Sequence, residues 1–97
     1  MIRLVIDTMK KRDRLEVIFD ILSIIQKHHN SIKPTPLLRY SNLSSSGFSE
    51  YYQELTVKGF IKEIISDEKK YITLTDKGFR YLEKYRLIRG FIDEFEL

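Results

Sequence analysis

From Asp13 to Lys27 apolar residues recur on one helical face. Leu15, Ile18, Leu22 and Ile25 are spaced three, four and three apart, and Phe19 and Ile21 widen the stripe. The spacing predicts an amphipathic helix with Asp13 in its first turn, where a carboxylate suits the helix dipole. His28, His29 and Asn30 break the pattern. Ser31-Ile32-Lys33 follows as an extended link, because the residue before Pro34 is pushed out of the helical region. Thr35 is placed to cap a short helix with Pro36 at its first position, continuing through Leu37, Leu38 and Tyr40.

Ser41-Asn42-Leu43 reads as a turn, and Ser44 as the cap of a helix running to Lys58. Phe48, Tyr52 and Leu55 fall at i, i+4 and i+7 and mark its buried side, and Gly59 is suited to end it in a left-handed conformation. The period then changes. Phe60 to Ile65 and Tyr71 to Leu74 are β-prone runs flanking a polar turn, Ser66 to Lys70, which predicts a hairpin. Thr75-Asp76-Lys77 caps a last helix that continues to Glu96. The order is long helix, short helix, turn, helix, hairpin, long helix. That order specifies an α+β, mainly α fold: a winged helix-turn-helix with a long C-terminal helix. Met1 to Thr8 alternates weakly and fits a short strand or an early helical turn. The expected organisation is an appendage over 1–8, a winged-helix domain over 9–78, and a C-terminal helix over 79–97 as a dimer interface.

Composition narrows the function classes. The 97 residues suffice for one domain, and 42% hydrophobic with 32% charged residues suits a globular protein. With no cysteine, disulfides, thiolate metal sites and cysteine nucleophiles are excluded. No apolar run approaches the roughly 20 residues needed to span a bilayer, and Met1 to Asp7 lacks the features of a signal peptide. The expected location is therefore cytoplasmic: nucleoid-associated, or the host cytoplasm if the source is viral. The net charge of +3 is uneven. Residues 1–50 hold eight Lys/Arg against five Asp/Glu, whereas residues 51–97 hold nine of each. The excess gathers at Lys10, Lys11, Arg12 and Arg14, which suits an anionic partner.

In a helix-turn-helix the second helix enters the major groove of double-stranded DNA while the first braces it. Here residues 36–40 are the brace and residues 45–57 the recognition helix. With Phe48, Tyr52 and Leu55 sealed inward, Ser45, Ser46, Ser49, Glu50 and Gln53 lie on the opposite side as candidate DNA contacts. Lys69 and Lys70 at the wing tip, Arg39 and Tyr40 in the bracing helix, and the Lys10–Arg14 cluster are further candidates for the phosphate backbone. Tyr81, Tyr85, Ile88, Ile92 and Phe95 repeat at four, three, four and three, a heptad seam expected to pair two copies into a homodimer.

Several segments carry a family resemblance. They are Lys11-Arg12-Asp13-Arg14-Leu15-Glu16 with Asp20-Ile21-Leu22, Asn42-Leu43-Ser44, Leu55 with Lys58-Gly59-Phe60-Ile61, Ile72-Thr73-Leu74-Thr75-Asp76-Lys77-Gly78, and Tyr81-Leu82-Glu83-Lys84-Tyr85. Across about residues 11–86 the chain resembles the small archaeal winged-helix DNA-binding proteins, including the coiled-coil dimeric nucleoid type. The resemblance implies DNA binding through recognition helix and wing, and dimerisation through the last helix. The chain departs from it at Ser45-Ser46-Gly47, where longer polar or basic residues are expected. Glu50 and Glu54 also place negative charge on or near the reading helix.

Other chemistry is poorly supplied. Adjacent His28 and His29 do not face one another on a helix, Ser44-Ser45-Ser46 has no glycine elbow or base, and Asp67-Glu68 at a turn tip has nothing to separate its pKa values. No cofactor, small-molecule substrate or membrane partner is expected, and no enzyme. The functions left are a sequence-specific transcriptional regulator, an architectural DNA-coating protein, or a winged helix serving as a protein-interaction module.

Overall fold

A computed structural model describes residues 12–97. The expected appendage, with Lys10 and Lys11, lies outside the described residues. Helix α1 spans Arg14–Lys27, α2 Pro34–Ser41 and α3 Ser45–Val57; strands β1 (Ile61–Ser66) and β2 (Lys69–Leu74) follow, then α4 (Asp76–Glu94).

Asp13 caps α1 from outside it, its side chain accepting from the Glu16 amide at 2.8 Å. The helix buries Val17, Ile18, Ile21, Leu22 and Ile25. Leu15, expected in that stripe, is 54% exposed. At 100° per residue it falls at the margin of the buried arc, and Val17 lies inside it. After α1, His29 and Asn30 both take left-handed backbone, with φ of 61° and 58°. This turns the chain so that the Asn30 side chain accepts from the Leu74 amide at 2.7 Å. Ile32 then exchanges backbone hydrogen bonds with Ile72. The extended link is thus an added edge to the hairpin.

Helix α2 starts earlier than expected. Pro34, rather than Pro36, takes the first position and Lys33 the cap, with no side-chain cap bond. Either proline fits a first turn, where an amide is not needed, so the first one encountered starts the helix. Asn42 ends α2 at φ 63°. Ser44 caps α3 through the Gly47 amide at 3.1 Å, and Gly59 (φ 81°) follows its end.

The hairpin pairs Ile61 with Leu74 through to Ser66 with Lys69. Its turn is only Asp67-Glu68, at φ 53° and 64°. Lys69 and Lys70 therefore belong to β2. A short turn with positive φ at both positions matches the twist of the strands, and polar side chains on an exposed ribbon pair as readily as they would form a loop.

Helix α4 explains its Thr-x-Lys-Gly entry. Thr75 accepts from the Gly78 amide at 3.2 Å and donates to the Gly59 carbonyl at 2.5 Å. Lys77 donates to the Lys58 carbonyl at 2.7 Å and lies over the Phe60 ring. At Gly78 a Cβ would collide with the Phe60 carbonyl oxygen. The segment fastens the end of α3 to the start of α4. The core closes where α1 meets α2, β2 and α4, around Ile21, Leu22, Ile25, Leu37, Leu55, Ile61, Ile72 and Leu82. Each such fully buried side chain contributes about 1.5–3 kcal/mol.

Candidate nucleic-acid interface

On α3, Phe48 and Leu55 are buried, and Tyr51 and Tyr52 pack half-buried beside them. Tyr52 stacks on Phe48 at 5.8 Å and its hydroxyl donates to Glu63 on β1. Burial and the Glu63 carboxylate both push that phenol upward from its usual pKa, so it stays a neutral donor. The bond sets the helix against the wing. Ser45, Ser46, Ser49, Glu50 and Gln53 are all exposed on the remaining side, as expected.

Helical geometry shows one more member of that side. Ser46, Glu50, Gln53 and Val57 are spaced four, three and four apart, and Val57 is 77% exposed. Val57 was not among the residues singled out from sequence. The signal was its spacing, hidden because an apolar residue reads first as core.

Glu54 lies on the flank of this surface, tied down from both sides. Arg14 of α1 grips it with both terminal guanidinium nitrogens, Nη1 to Oε1 at 2.8 Å, and Lys58 reaches it at 2.7 Å. The Arg14 hydrogen bond, then the Lys58 bond, hold its pKa at about 2, and Glu54 in turn raises that of Arg14. The negative charge that would repel phosphate on this flank is therefore cancelled within the protein.

Of the expected basic cluster, the two described members, Arg12 and Arg14, are both ion-paired within the chain. Arg14 is committed to Glu54. Arg12 bridges Asp20 at 2.6 Å and the Ser41 carbonyl at 2.9 Å, tying the start of α1 to the end of α2. Arg39 is exposed, with its guanidinium over the Tyr40 ring, and the Tyr40 ring also lies tilted against His28 at 5.1 Å. On the wing both lysines are exposed, and Lys70 sits 3.6 Å from Glu63.

The heptad seam of α4 divides in two. Tyr81 packs edge-on against Phe60 and its hydroxyl donates to the Leu15 carbonyl at 2.7 Å; burial pushes its pKa up to about 12. Tyr85 stacks on Phe19 of α1 at 4.5 Å. These two expected interface residues are half-buried against the chain itself. Beyond them Leu87, Ile88, Phe91 and Phe95 are 54–63% exposed, with Ile92 half-buried.

A bracing helix, a second helix sealed on one side, and a two-stranded hairpin leading into a capped last helix define a winged-helix domain. The chain belongs to the winged helix-turn-helix family, whose model matches residues 11–92. No curated protein matches it in sequence. Solved structures share the fold. Sso10a-2, a DNA-binding protein from Sulfolobus solfataricus, superposes with a TM-score of 0.66 at 19% identity, over 88% of this chain and 90% of that one. MarR from E. coli, in its oxidised form, gives 0.70 at 23% identity, over 91% and 72%. A winged-helix DNA-binding protein from STIV gives 0.66 at 18%, over 84% and 92%. No helix among the described residues is long and apolar enough to cross a membrane.

Proposed function

We propose that the chain binds double-stranded DNA as a homodimer and acts as a transcriptional regulator. The polar side of α3 enters the major groove, and β1–β2 follows the backbone. The observation that carries this reading is the surface of Ser46, Gln53 and their neighbours. It is exposed, aimed away from the sealed Phe48 side, and freed of the Glu54 charge by Arg14 and Lys58. Ser49 and Gln53 supply hydrogen bonds to base edges and phosphates, and Val57 an apolar contact of the kind that suits a thymine methyl. Arg39, Lys69 and Lys70 supply cations for the backbone. The DNA-binding names of Sso10a-2 and the STIV protein support the partner.

The homodimer rests on the distal half of α4. Leu87, Ile88, Phe91 and Phe95 form an apolar stripe on a helix that has left the core, and a second copy of the stripe covers it. Two recognition helices joined in this way gain affinity without new contacts.

The short side chains Ser45, Ser46 and Ser49 favour a second reading, an architectural protein of low sequence specificity. Selection of binding sites from random duplexes, followed by titration of the best site and a scrambled one at one stated salt concentration, decides between them. A regulator binds its site at least about 1,000-fold more tightly; an architectural protein shows a ratio near one. A chain that shifts no duplex, or binds without salt dependence, is a protein-interaction module instead.

A further inference from the structure

Two carboxylates stand one turn apart on α3, Glu50 and Glu54, and the chain treats them differently. Both line a shallow recess of about 160 Å³ together with Arg14 and Tyr51. Arg14, the cation of that recess, is bound to Glu54 through both terminal nitrogens, and Lys58 adds a bond to the same carboxylate. Glu50 is exposed and has no ion-pair partner among the described residues. Its neighbours along the outward face, Ser46 at i−4 and Gln53 at i+3, carry no charge. Two cations thus serve Glu54 and none serves Glu50.

An unneutralised carboxylate on a helix that enters a groove repels the phosphates of every duplex. Hydrogen-bond donors on the bases offset that repulsion, because a carboxylate accepts and does not donate. The major groove offers two such donors, the cytosine N4 and adenine N6 amino groups. Adenine N6 lies between two acceptors, its own N7 and the O4 of the paired thymine, which face the second carboxylate oxygen with like charge. Cytosine N4 has an acceptor on one side only, the O6 of the paired guanine.

We infer that Glu50 selects a cytosine in the major groove by accepting from its N4 amino group. The inference rests on α3 being the helix that enters the groove. Gln53 stands about 4.5 Å further along the helix axis at 1.5 Å per residue, against about 3.4 Å per base pair of duplex. Its amide then meets the N6 and N7 of an adenine one or two base pairs from the cytosine. A residue that lowers affinity for all duplexes and restores it for one base suits a sequence-specific binder.

The test is selection from random duplexes with the full wild-type chain, Glu50→Ala and Glu50→Gln, followed by titration of the recovered site at one stated salt concentration. Wild type enriches a C·G pair at one position, with an A·T pair one or two steps away. Glu50→Ala loses the enrichment at the C·G position alone and binds a scrambled duplex severalfold more tightly, because a negative charge is gone. Glu50→Gln moves the preferred base at that position from cytosine to adenine, a change that poor folding cannot produce. In the recovered site, N4-methylcytosine keeps the base pair but replaces the amino hydrogen that faces the groove. It weakens wild-type binding about tenfold and leaves Glu50→Ala unchanged. Identical base preferences in wild type and both variants, or N4-methylcytosine bound by wild type as tightly as cytosine, would overturn the assignment. A wild-type chain that binds duplexes without enriching a C·G pair refutes the cytosine contact and leaves DNA binding intact. One that binds no duplex refutes both.

Discussion

Two helical surfaces of this chain face outward, and their chemistry is opposite. The outer side of α3 carries hydroxyls, an amide and a carboxylate, with Val57 its one apolar member. The outer side of distal α4 carries Leu87, Ile88, Phe91 and Phe95. Both helices are anchored by the same core, α3 through Phe48 and Leu55, α4 through Leu82. A polar face costs nothing in water and suits a partner that presents hydrogen bonds. An apolar face gains only when another apolar face covers it. On the proposed reading the two helices serve different partners, a duplex for α3 and a second copy for α4. Substitutions that affect one surface alone test that division.

The largest effect is expected at α4. Ile88→Asp with Ile92→Asp puts charge on the proposed pairing surface and is expected to yield a monomer by analytical ultracentrifugation. Apparent duplex affinity then falls by about two orders of magnitude, the usual gain from joining two modules. A variant that stays dimeric removes distal α4 as the interface.

The α3 surface is tested by Ser49→Ala with Gln53→Ala. Specific-site binding is expected to weaken by roughly 1–3 kcal/mol, while the melting temperature stays close to wild type because both positions are exposed. Unchanged affinity in a gel-shift titration takes these residues out of the site.

A smaller effect comes from the flank of α3. Glu54 is held at about 2, against about 4.3 in an unfolded chain. A depressed carboxylate stabilises the fold above its unfolded pKa, and that contribution is lost as pH falls toward its folded value. Glu54→Gln should therefore melt below wild type at pH 7, and the gap should close between about pH 5 and pH 2. Thermal melts across that range check it. A gap that stays constant with pH means the Arg14–Glu54–Lys58 link contributes nothing to stability.

The smallest effect is at the wing. Asp67 and Glu68 both hold positive φ, which costs a non-glycine residue of order 1 kcal/mol. Glu68→Gly is expected to raise stability by up to about 1 kcal/mol in chemical denaturation.

Much of this fold was legible in the sequence, because periodicity and caps agree. Ser44, Gly59 and Thr75 mark three boundaries through local hydrogen bonding or backbone φ that any context would preserve. The errors lie where local signals tie or long-range contacts decide. Pro34 and Pro36 are equally good helix starts, and the nearer one wins. Five polar residues at the wing look like a loop until cross-strand pairing takes Lys69 and Lys70 into β2. The outward side of α3 was legible as polar and exposed, but the fates of Arg12 and Arg14 were not visible. Their partners, Asp20 with the Ser41 carbonyl and Glu54, are set by how α1 crosses α2 and α3. The α4 seam reads as continuous in sequence. Only the position of α1 shows that Tyr81 and Tyr85 already pack, half-buried, within the chain.

The measurement closest to the central claim is an amide NMR titration of the full chain with a short duplex at low and high salt. Shifts are predicted at residues 45–57 and 69–70, strongest around Ser49 and Gln53, and shrinking as salt rises. If those amides stay still while others move, or if nothing responds to the duplex at low salt, α3 does not grip DNA.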